Sequence, residues 1–250
     1  RDSIINDLTR LVDPAGLITS TDECRAYETD ALTAYRKMPL AVVLPKTTEE
    51  VSAVLKYCHD TGVKVVPRGA GTSLAGGAIP SEDAVVLGLS KMNRVLAVNY
   101  DDRFIRVEAG VTNLSVTAVV AENGFFYAPD PSSQLACTIG GNIANNSGGA
   151  HCLKYGVTTN NLLGVRMVLI DGSIIDLGGD YLDSAGLDLL GLVVGSEGQL
   201  GIVTEATLRI LKSAEGARPV LFGLPSGEGA CTAVAAVIAS GTIPVAIQHM

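Results

Sequence analysis

The sequence is poor in the residues that bind metals or cross-link secreted proteins. Of its 250 residues, five are cysteine and three are histidine. The number of cysteines is odd, and Cys24, Cys58, Cys137, Cys152 and Cys231 include no Cys-x-x-Cys pair. This pattern argues against a disulfide scaffold, a zinc knuckle or an iron–sulfur site, and it fits a reducing cytoplasm. No His-x-His motif or histidine–carboxylate cluster occurs, so we assign no metal ligand.

Positive charge and long apolar runs are also scarce. Lys and Arg number 18 against 26 Asp and Glu, the net charge is −8, and Lys154 is the only basic residue between Arg106 and Arg166. No stripe of basic side chains is available to follow a phosphate backbone, which argues against nucleic acid as a partner. No signal peptide or apolar run of membrane length appears, so we expect a cytoplasmic protein. We also expect that the natural chain extends beyond Arg1 and Met250.

Apolar residues and glycine are abundant, with 47% hydrophobic residues and 28 glycines, as in a compact, loop-rich globular protein. The first 35 residues are predicted to be helical, beginning with an amphipathic helix that Ser3 caps and that ends at Val12, before Pro14. Strands are predicted over 39–45 and 63–67.

The helix between these two strands has the clearest signals in the sequence. Thr47 and Glu50 form a capping box at its start, and Gly62 ends it. A strand, a helix and a second strand in this order predict a right-handed parallel unit.

Strand-type segments dominate from residue 84 to about 212. Asn113 is predicted to cap a helix that Gly124 stops, and Asp171-Gly172 marks the turn of a hairpin over 165–178. The sequence therefore predicts an α+β fold, with a small parallel unit followed by a larger, mostly antiparallel sheet. The other strand-type segments lie at 84–89, 94–99, 104–110 and 200–211.

The pattern changes near residue 215, where we place a domain boundary. Residues 1–215 are predicted to form one domain, with subdomains at about 1–88 and 89–215. Residues 216–250 are predicted to begin an incomplete second domain, as a β-α-β unit. Its parts are a strand over 219–225, a helix from Gly229 to Ser240 and a strand over 244–247.

The stretch "PRGAGTSLAGGA" at 67–78, here called the first glycine segment, follows directly on a predicted strand. Glycines without a Cβ let successive backbone N–H groups point at one ligand, and such a nest suits an anion, above all a diphosphate. Arg68 adds charge, and Thr72 and Ser73 add hydroxyl donors. A surface loop with glycines at turns is the alternative. The dinucleotide fingerprint Gly-x-Gly-x-x-Gly fits poorly because position 74 is leucine.

Two further stretches are rich in glycine. The second glycine segment, 128–156, is predicted to start a short helix at Thr138 whose N–H groups face a ligand. The alternative is a long active-site lid in which the glycines serve only to form turns. The third glycine segment, 193–210, has glycines just before a strand and is equally consistent with a tight turn. Three such segments, far apart in sequence, favour one large ligand of the size of FAD.

Several motifs in these segments resemble those of a known family. They are similar to the FAD-binding domain of the vanillyl-alcohol oxidase / p-cresol methylhydroxylase superfamily and, more narrowly, to the FAD subunit of bacterial glycolate oxidase and its D-2-hydroxy-acid dehydrogenase relatives. The resemblance covers residues 1 to about 215 and implies a two-subdomain FAD-binding fold. The motifs are "YETDALTAYRKMPLAVVLP", "PRGAGTSLAGGA", "PDPSS", "CTIGGNIANNSGG", "HCLKYGVTTNN" and "GSEGQLGIVTEATLRI".

The resemblance implies an FAD-binding role for each glycine segment. The first would hold the diphosphate through Arg68, Gly69, Ala70, Gly71, Thr72, Ser73 and Gly76. The second would line the isoalloxazine and ribityl groups with Pro131, Ser132, Cys137, Thr138, Gly140, Gly141, Asn142, Asn146, Ser147 and Gly149. The third would lie near the adenine and the ring edge with Glu197, Gly198, Gly201, Ile202 and Val203.

The resemblance also implies the chemistry. Relatives oxidise a small 2-hydroxy acid, of glycolate or D-lactate type, to the 2-oxo acid by hydride transfer to flavin N5. Some relatives attach FAD covalently to a histidine of the first segment, but this sequence has "GAGTS" there, so non-covalent FAD is expected. The base and the metal-binding histidines of the family belong to a capping domain that follows the FAD domain, so we assign no catalytic residue here. His151 is interpreted as structural.

Three functions remain open from the sequence. The first is a flavoprotein dehydrogenase that passes electrons to a partner, with iron–sulfur and second flavin-type subunits implied by the resemblance, and with attachment to the inner membrane through those subunits. The second is a non-catalytic flavin or electron-transfer module of a larger complex. The third, a nucleotide-sugar reductase on the same fold, is disfavoured by "HCLKYGVTTNN" and "YETDALTAYRK".

Overall fold

The computed structural model describes residues 2–181 and 186–248. Two larger β-sheets and one two-stranded ribbon form its framework. The four-stranded sheet lies within the first 88 residues, and the five-stranded sheet lies between residues 95 and 209. This arrangement confirms the α+β class that the sequence predicts.

The helices and strands are numbered in chain order. The helices are α1 (Asp2–Leu8), α2 (Thr21–Cys24), α3 (Thr48–Thr61), α4 (Asn113–Val120), α5 (Ile139–Ala144), α6 (Cys152–Tyr155), α7 (Leu189–Val193) and α8 (Gly227–Ala239). The strands are β1 (Leu17–Ile18), β2 (Ala41–Val43), β3 (Lys64–Arg68), β4 (Ala84–Gly88), β5 (Val95–Asn99), β6 (Phe104–Glu108), β7 (Phe125–Phe126), β8 (Leu162–Val168), β9 (Ile174–Gly178), β10 (Ile202–Arg209) and β11 (Leu211–Lys212).

The small sheet has the order β1-β2-β4-β3, and its last three strands are parallel. In its register Arg68, the last residue of β3, lies opposite Gly88 at the end of β4. The predicted strand–helix–strand unit is therefore confirmed. The first glycine segment leaves this sheet at the carboxyl end of β3, which is where ligands bind in sheets of this kind.

Helix α3 covers the small sheet and follows its sequence signals closely. The Thr47 hydroxyl accepts from the Glu50 N–H at 3.2 Å, and the Glu50 carboxylate accepts from the Lys46 N–H at 2.6 Å. Gly62, with φ of +70°, ends the helix in the left-handed conformation. The apolar face of the helix is buried against the sheet, with Leu55 only 2% exposed.

The large sheet has the order β5-β6-β10-β8-β9, and all its pairs are antiparallel. The predicted hairpin is confirmed as β8 and β9, with Gly172 in its turn. Helices α4 and α5 pack over this sheet, because Val116, Val120 and Ile143 are fully buried in its core.

Helix α3 also joins the two sheets. The hydroxyl groups of Thr48 and Thr204 are 3.0 Å apart in the buried interior, and the Ser52 hydroxyl donates to the Gly172 carbonyl at 2.5 Å. Val168 and Ile202 of the large sheet pack in the same apolar cluster as the helix. These contacts fix the two sheets against each other and thereby fix the distance between the loops at their edges.

The N-terminal prediction is wrong in two respects. Helix α1 begins at Asp2 and ends at Leu8, so Ser3 lies inside it rather than at its cap. The chain then forms β1, which pairs with β2, instead of continuing as helix. The backbone groups at the edge of β2 pair with β1, whereas a helix at this position would leave them without partners.

Asn113 is not the cap of α4. Thr112 occupies that position, and the Asn113 side chain is buried, where its amide donates to the Pro129 carbonyl at 3.1 Å and to Asn142 Oδ1 at 3.0 Å. The buried oxygens need a donor, and that requirement determines the orientation of Asn113.

The C-terminal region contains the predicted helix, α8, but not the predicted strands. Residues 219–225 and 244–247 pair with no strand in the described part of the chain. Leu221 is 85% exposed, so no apolar neighbour covers this stretch, and a strand without a ladder partner is not stable. Within the described residues, no helix is long and apolar enough to cross a membrane.

Cys58 provides a test of the packing of α3. Burial raises the pKa of the Cys58 thiol from 9.0 to about 11, whereas Cys231 is exposed. Because the thiolate is the reactive form, we expect a disulfide-exchange reagent at pH 8 to label Cys231 rapidly and Cys58 only after denaturation, as measured by mass spectrometry. The raised pKa also predicts that the free energy of unfolding falls as the pH rises from about 9 to about 11. Rapid labelling of Cys58 in the folded protein would contradict this packing.

Candidate functional site

A cavity of about 290 Å³ lies where the loops of the two sheets meet. All three glycine segments line it, as the sequence predicts. The predicted site residues that line it are Arg68, Gly69, Ala70, Gly71, Thr72, Ser73, Cys137, Thr138, Gly140, Gly141, Asn142, Ser147, Glu197, Gly198, Gly201, Ile202 and Val203. Residues that the prediction did not include also line it, among them Ala75, Gly77, Leu89, Ser133, Ile143 and Ser196.

The first glycine segment lines the cavity and contains backbone donors without a protein partner in the described chain. Among the described residues, no protein acceptor bonds to the N–H groups of residues 69–73. Gly71 has φ of +73°, and a side chain there would overlap the Arg68 guanidinium. A Cβ on Gly69 would lie 2.6 Å from the Thr138 hydroxyl, so only glycine allows the two segments to come this close. The first segment thus brings amides without a protein acceptor to the cavity next to the second segment, and amides of this kind can bind an anion.

Arg68 lies at the cavity, but its guanidinium also binds the protein. Its Nη1 group donates to the carbonyls of Thr29 at 2.7 Å and Ala78 at 3.4 Å, and its guanidinium lies 5.5 Å from the centre of the Tyr27 ring. Burial lowers the pKa of Arg68, while the charges of Tyr27 and Asp30 act in the opposite direction. Arg68 therefore anchors the first segment, in addition to any contact with a ligand.

Thr138 is the most informative polar group of the second segment. It stands at the N-cap position of α5, is 5% exposed, and its hydroxyl has no hydrogen-bond partner among the described residues. Thr138 is one of the residues that line the cavity, and its hydroxyl lies against Gly69, so a ligand bound there is the candidate for the missing partner.

A buried polar network supports α5 from behind. Asn113 donates to Asn142, and the Asn142 amide lies 3.3 Å from the Cys137 sulfur. Cys137 and Asn142 are among the site residues predicted from the sequence, whereas Asn113 is predicted as a helix cap. The partners of Asn113 are distant in the chain, so no local pattern indicates its role.

The third segment is fastened to the end of α5. The N–H groups of Gly195 and Glu197 donate to the carbonyls of Ile143 at 2.9 Å and Ala144 at 2.8 Å. Glu197 has φ of +54°, which is uncommon for a residue with a side chain. Its carboxylate extends towards Gly77 of the first segment, with Oε2 3.6 Å from where a Cβ would lie.

Five predicted site residues lie outside the cavity lining. Two of them have clear structural contacts: the Asn146 side chain accepts from the Thr159 N–H at 3.0 Å, and Gly149 packs directly against the Asp130 carbonyl. The five are Gly76, Pro131, Ser132, Asn146 and Gly149.

His151 also lies outside the lining. Its Nδ1 atom is 3.3 Å from Asp130 Oδ2, and its backbone N–H donates to Asp130 Oδ1 at 3.0 Å. Both ends of this contact are within the second segment, so the pair stabilises the segment's fold. In residues 2–181 and 186–248, no group of three or more metal-binding side chains converges on one point.

Comparison with known proteins decides the family. Residues 39–178 match the family described as FAD binding domain. The chain belongs to this family. A solved structure of alkyldihydroxyacetonephosphate synthase superposes with a TM-score of 0.83 at 22% identity, covering 98% of this chain and 47% of that one. The fold is therefore the p-cresol methylhydroxylase-type FAD-binding fold that the sequence motifs indicate.

Curated relatives align along the whole chain. It is 47% identical over 250 residues to glycolate oxidase subunit GlcD of Escherichia coli, covering 100% of this chain and 50% of the relative. This chain is 38% identical over 250 residues to D-lactate dehydrogenase of Archaeoglobus fulgidus. That alignment covers 99% of this chain and 55% of the relative. This chain is 36% identical over 226 residues to D-2-hydroxyglutarate dehydrogenase of Xanthomonas citri. That alignment covers 90% of this chain and 48% of the relative. The chain thus spans about half the length of these relatives.

The cavity fits FAD, the cofactor of this family. The run of free amides at 69–73 suits the two negative charges of a diphosphate, and the Thr138 hydroxyl provides a buried donor that still lacks an acceptor. Gly69 and Gly71 let the first segment pack against the Thr138 hydroxyl and the Arg68 guanidinium, where a side chain on either glycine would overlap them.

Replacing the Thr138 hydroxyl separates its effect on the cofactor from its effect on folding. Thr138→Val keeps the shape but removes the donor, so we expect FAD affinity to fall about 5-fold, the effect of about 1 kcal/mol for one hydrogen bond. Without FAD, we expect the variant to be more stable by about 1 kcal/mol, because a buried unpaired hydroxyl is lost.

Fluorescence titration with FAD and denaturant unfolding of the FAD-free protein measure the two quantities. Thr61→Val, at an exposed helix end, is the control and should change neither by a comparable amount. Equal FAD affinity of wild type and Thr138→Val would contradict a role for this hydroxyl in the site.

Proposed function

We propose that this chain is the FAD-binding portion of a flavoenzyme that oxidises a small 2-hydroxy acid, of glycolate or D-lactate type, to the 2-oxo acid. The observation that carries the proposal is the 47% identity to a glycolate oxidase subunit along all 250 residues. Other relatives are named D-lactate and D-2-hydroxyglutarate dehydrogenases. These names share one chemistry, the removal of two electrons from a carbon that carries a hydroxyl group next to a carboxylate.

Each glycine segment is assigned one part of FAD in this proposal. The first segment holds the diphosphate with the amides of 69–73. The second lies along the ribityl and isoalloxazine groups and includes Thr138. The third lies near the adenine and the ring edge. The support is geometric, since all three segments line one cavity and the free amides lie at the first of them.

The chain's contribution to the reaction is binding and orientation. When bound, FAD supplies the acceptor for the hydride that leaves C2 of the substrate. The first segment fixes the cofactor through its phosphates, and α5 and the third segment provide further parts of the cavity lining. Arg68 and Glu197 are the charged residues at the cavity, and Arg68 is held by protein carbonyls, so most contacts with FAD come from backbone and small side chains. We assign no proton acceptor among the described residues.

The remaining assignments concern the whole protein. We propose that 1–215 forms the FAD-binding domain, with subdomains at about 1–88 and 89–215, and that 216–250 begins a substrate domain. The exposed helix α8, which buries none of its residues, supports this division.

We also propose a multisubunit enzyme in the cytoplasm, with iron–sulfur and second flavin-type subunits as electron acceptors. Attachment to the inner membrane would be through those subunits. The word "subunit" in the name of the glycolate oxidase relative supports a multisubunit enzyme.

A panel of 2-hydroxy acids tests the proposed function. The full-length protein loaded with FAD is assayed with glycolate, D-lactate and D-2-hydroxyglutarate, and reduction of an artificial dye is followed by absorbance. We expect at least one of them to reduce the dye, and L-lactate, the mirror-image control, to do so at least 10-fold more slowly than D-lactate if D-lactate is a substrate. Absence of dye reduction with every acid would reject the function.

The mode of FAD attachment provides a separate test. We propose non-covalent binding because the first segment contains no histidine and His151 is paired with Asp130. After acid precipitation of the yellow protein, we expect the flavin in the supernatant, as measured by its absorbance. Flavin that remains with the precipitate would show a covalent bond and contradict this proposal.

A further inference from the structure

A buried carboxylate, Asp30, contacts the first glycine segment from the protein side. It lies between α2 and β2, in the stretch 27–32, and is only 4% exposed. Burial of a charged side chain is costly unless hydrogen bonds and opposite charge compensate for it. The contacts of Asp30 therefore indicate why a charged side chain occupies this buried position.

Both oxygens of Asp30 bind backbone amides. Oδ1 accepts from the Leu32 N–H at 3.0 Å, which closes a turn of its own segment, and Oδ2 accepts from the Gly76 N–H at 2.9 Å. The neighbouring Ala31 N–H donates to the Ser73 carbonyl at 3.1 Å. The end of the first glycine segment is thus tied to 27–32 at two points.

The start of the segment is tied to the same stretch through Arg68. Its Nη1 donates to the Thr29 carbonyl at 2.7 Å, and its guanidinium rests on the Tyr27 ring. The negative charge of Asp30 is close enough to favour the charged form of Arg68, against the effect of burial. Arg68 and Asp30 thus hold the start and the end of the segment to the same stretch.

Residues 69–73 lie between these two ties, and within the described part of the chain no protein acceptor bonds to their amides. An anion site of free amides loses affinity if the loop must be ordered when the ligand binds, and it gains affinity if the loop is ordered beforehand. We infer that Asp30 is a positioning residue, which holds the first glycine segment in the conformation that receives the diphosphate of FAD. The inference rests on the proposed assignment of the diphosphate to this segment.

Titration with two flavins tests the inference. Riboflavin carries the ring and ribityl groups but no phosphate, so a residue that acts through the diphosphate segment should affect FAD and leave riboflavin nearly unchanged. For Asp30→Ala we expect at least a 10-fold rise in the Kd for FAD and less than a 2-fold change for riboflavin, both measured on the full chain by flavin fluorescence. Asp30→Asn retains one acceptor oxygen and should raise the Kd for FAD about 3-fold.

The control and the contrary results are specific. Asp22→Asn removes the same charge from a side chain that is 90% exposed in the preceding helix, and it should change neither Kd. An unchanged Kd for FAD in a folded Asp30→Asn protein would overturn the inference, as would equal weakening of FAD and riboflavin, which would indicate general destabilisation. Circular dichroism verifies folding, and Asp30→Asn decides the outcome if Asp30→Ala does not fold.

This test is independent of the proposed reaction. If the protein binds FAD but oxidises no 2-hydroxy acid, the proposed function is rejected. The titration with the two flavins still tests the role of Asp30. A wild-type protein that binds FAD no more tightly than riboflavin would overturn the diphosphate assignment, and the inference with it.

Discussion

The site depends on one constraint, the fixed position of a short loop whose backbone amides bond to no protein acceptor in the described part of the chain. Amides 69–73 lie between two ties to the stretch 27–32, one made by Arg68 and the other by Asp30. The ties to 27–32 and the packing around Gly69 hold the loop in this conformation. The free amides are then available to a ligand.

The second constraint is the fixed distance between the two sheets. Thr48 and Thr204 connect α3 to the large sheet, and the amides of Gly195 and Glu197 connect the third glycine segment to α5. These contacts place three distant parts of the chain around one cavity. Electrostatics play a smaller part, because the arginine at the cavity is compensated within the protein and the net charge of the chain is −8. Recognition of a diphosphate by backbone dipoles suits a chain with this charge.

Much of this arrangement follows from local sequence signals. The capping residues of α3, the turn at Asp171-Gly172 and the position of the first glycine segment after a strand are short-range features, and the structure has them where the sequence predicts them. The convergence of the glycine segments could also be predicted, because close approach to one large ligand gives a single reason for all three. The family resemblance added the identity of that ligand.

Other features depend on partners that are distant in the chain. The buried role of Asn113 is determined by Asn142, 29 residues later, and the orientation of Arg68 by Thr29, 39 residues earlier. The role of Asp30 requires knowledge of where Gly76 lies. Near the C-terminus, the apolar stretch 219–225 has the composition of a strand but pairs with no strand in residues 2–181 and 186–248, so composition alone gave the wrong prediction there.

A crystal structure of the protein with FAD tests the central claim most directly. The account predicts diphosphate oxygens within about 2.7–3.2 Å of amides in 69–73, with the Thr138 hydroxyl in contact with the cofactor and Asp30 still bound to the Gly76 amide. A diphosphate bound elsewhere, with those amides facing only solvent, would contradict it.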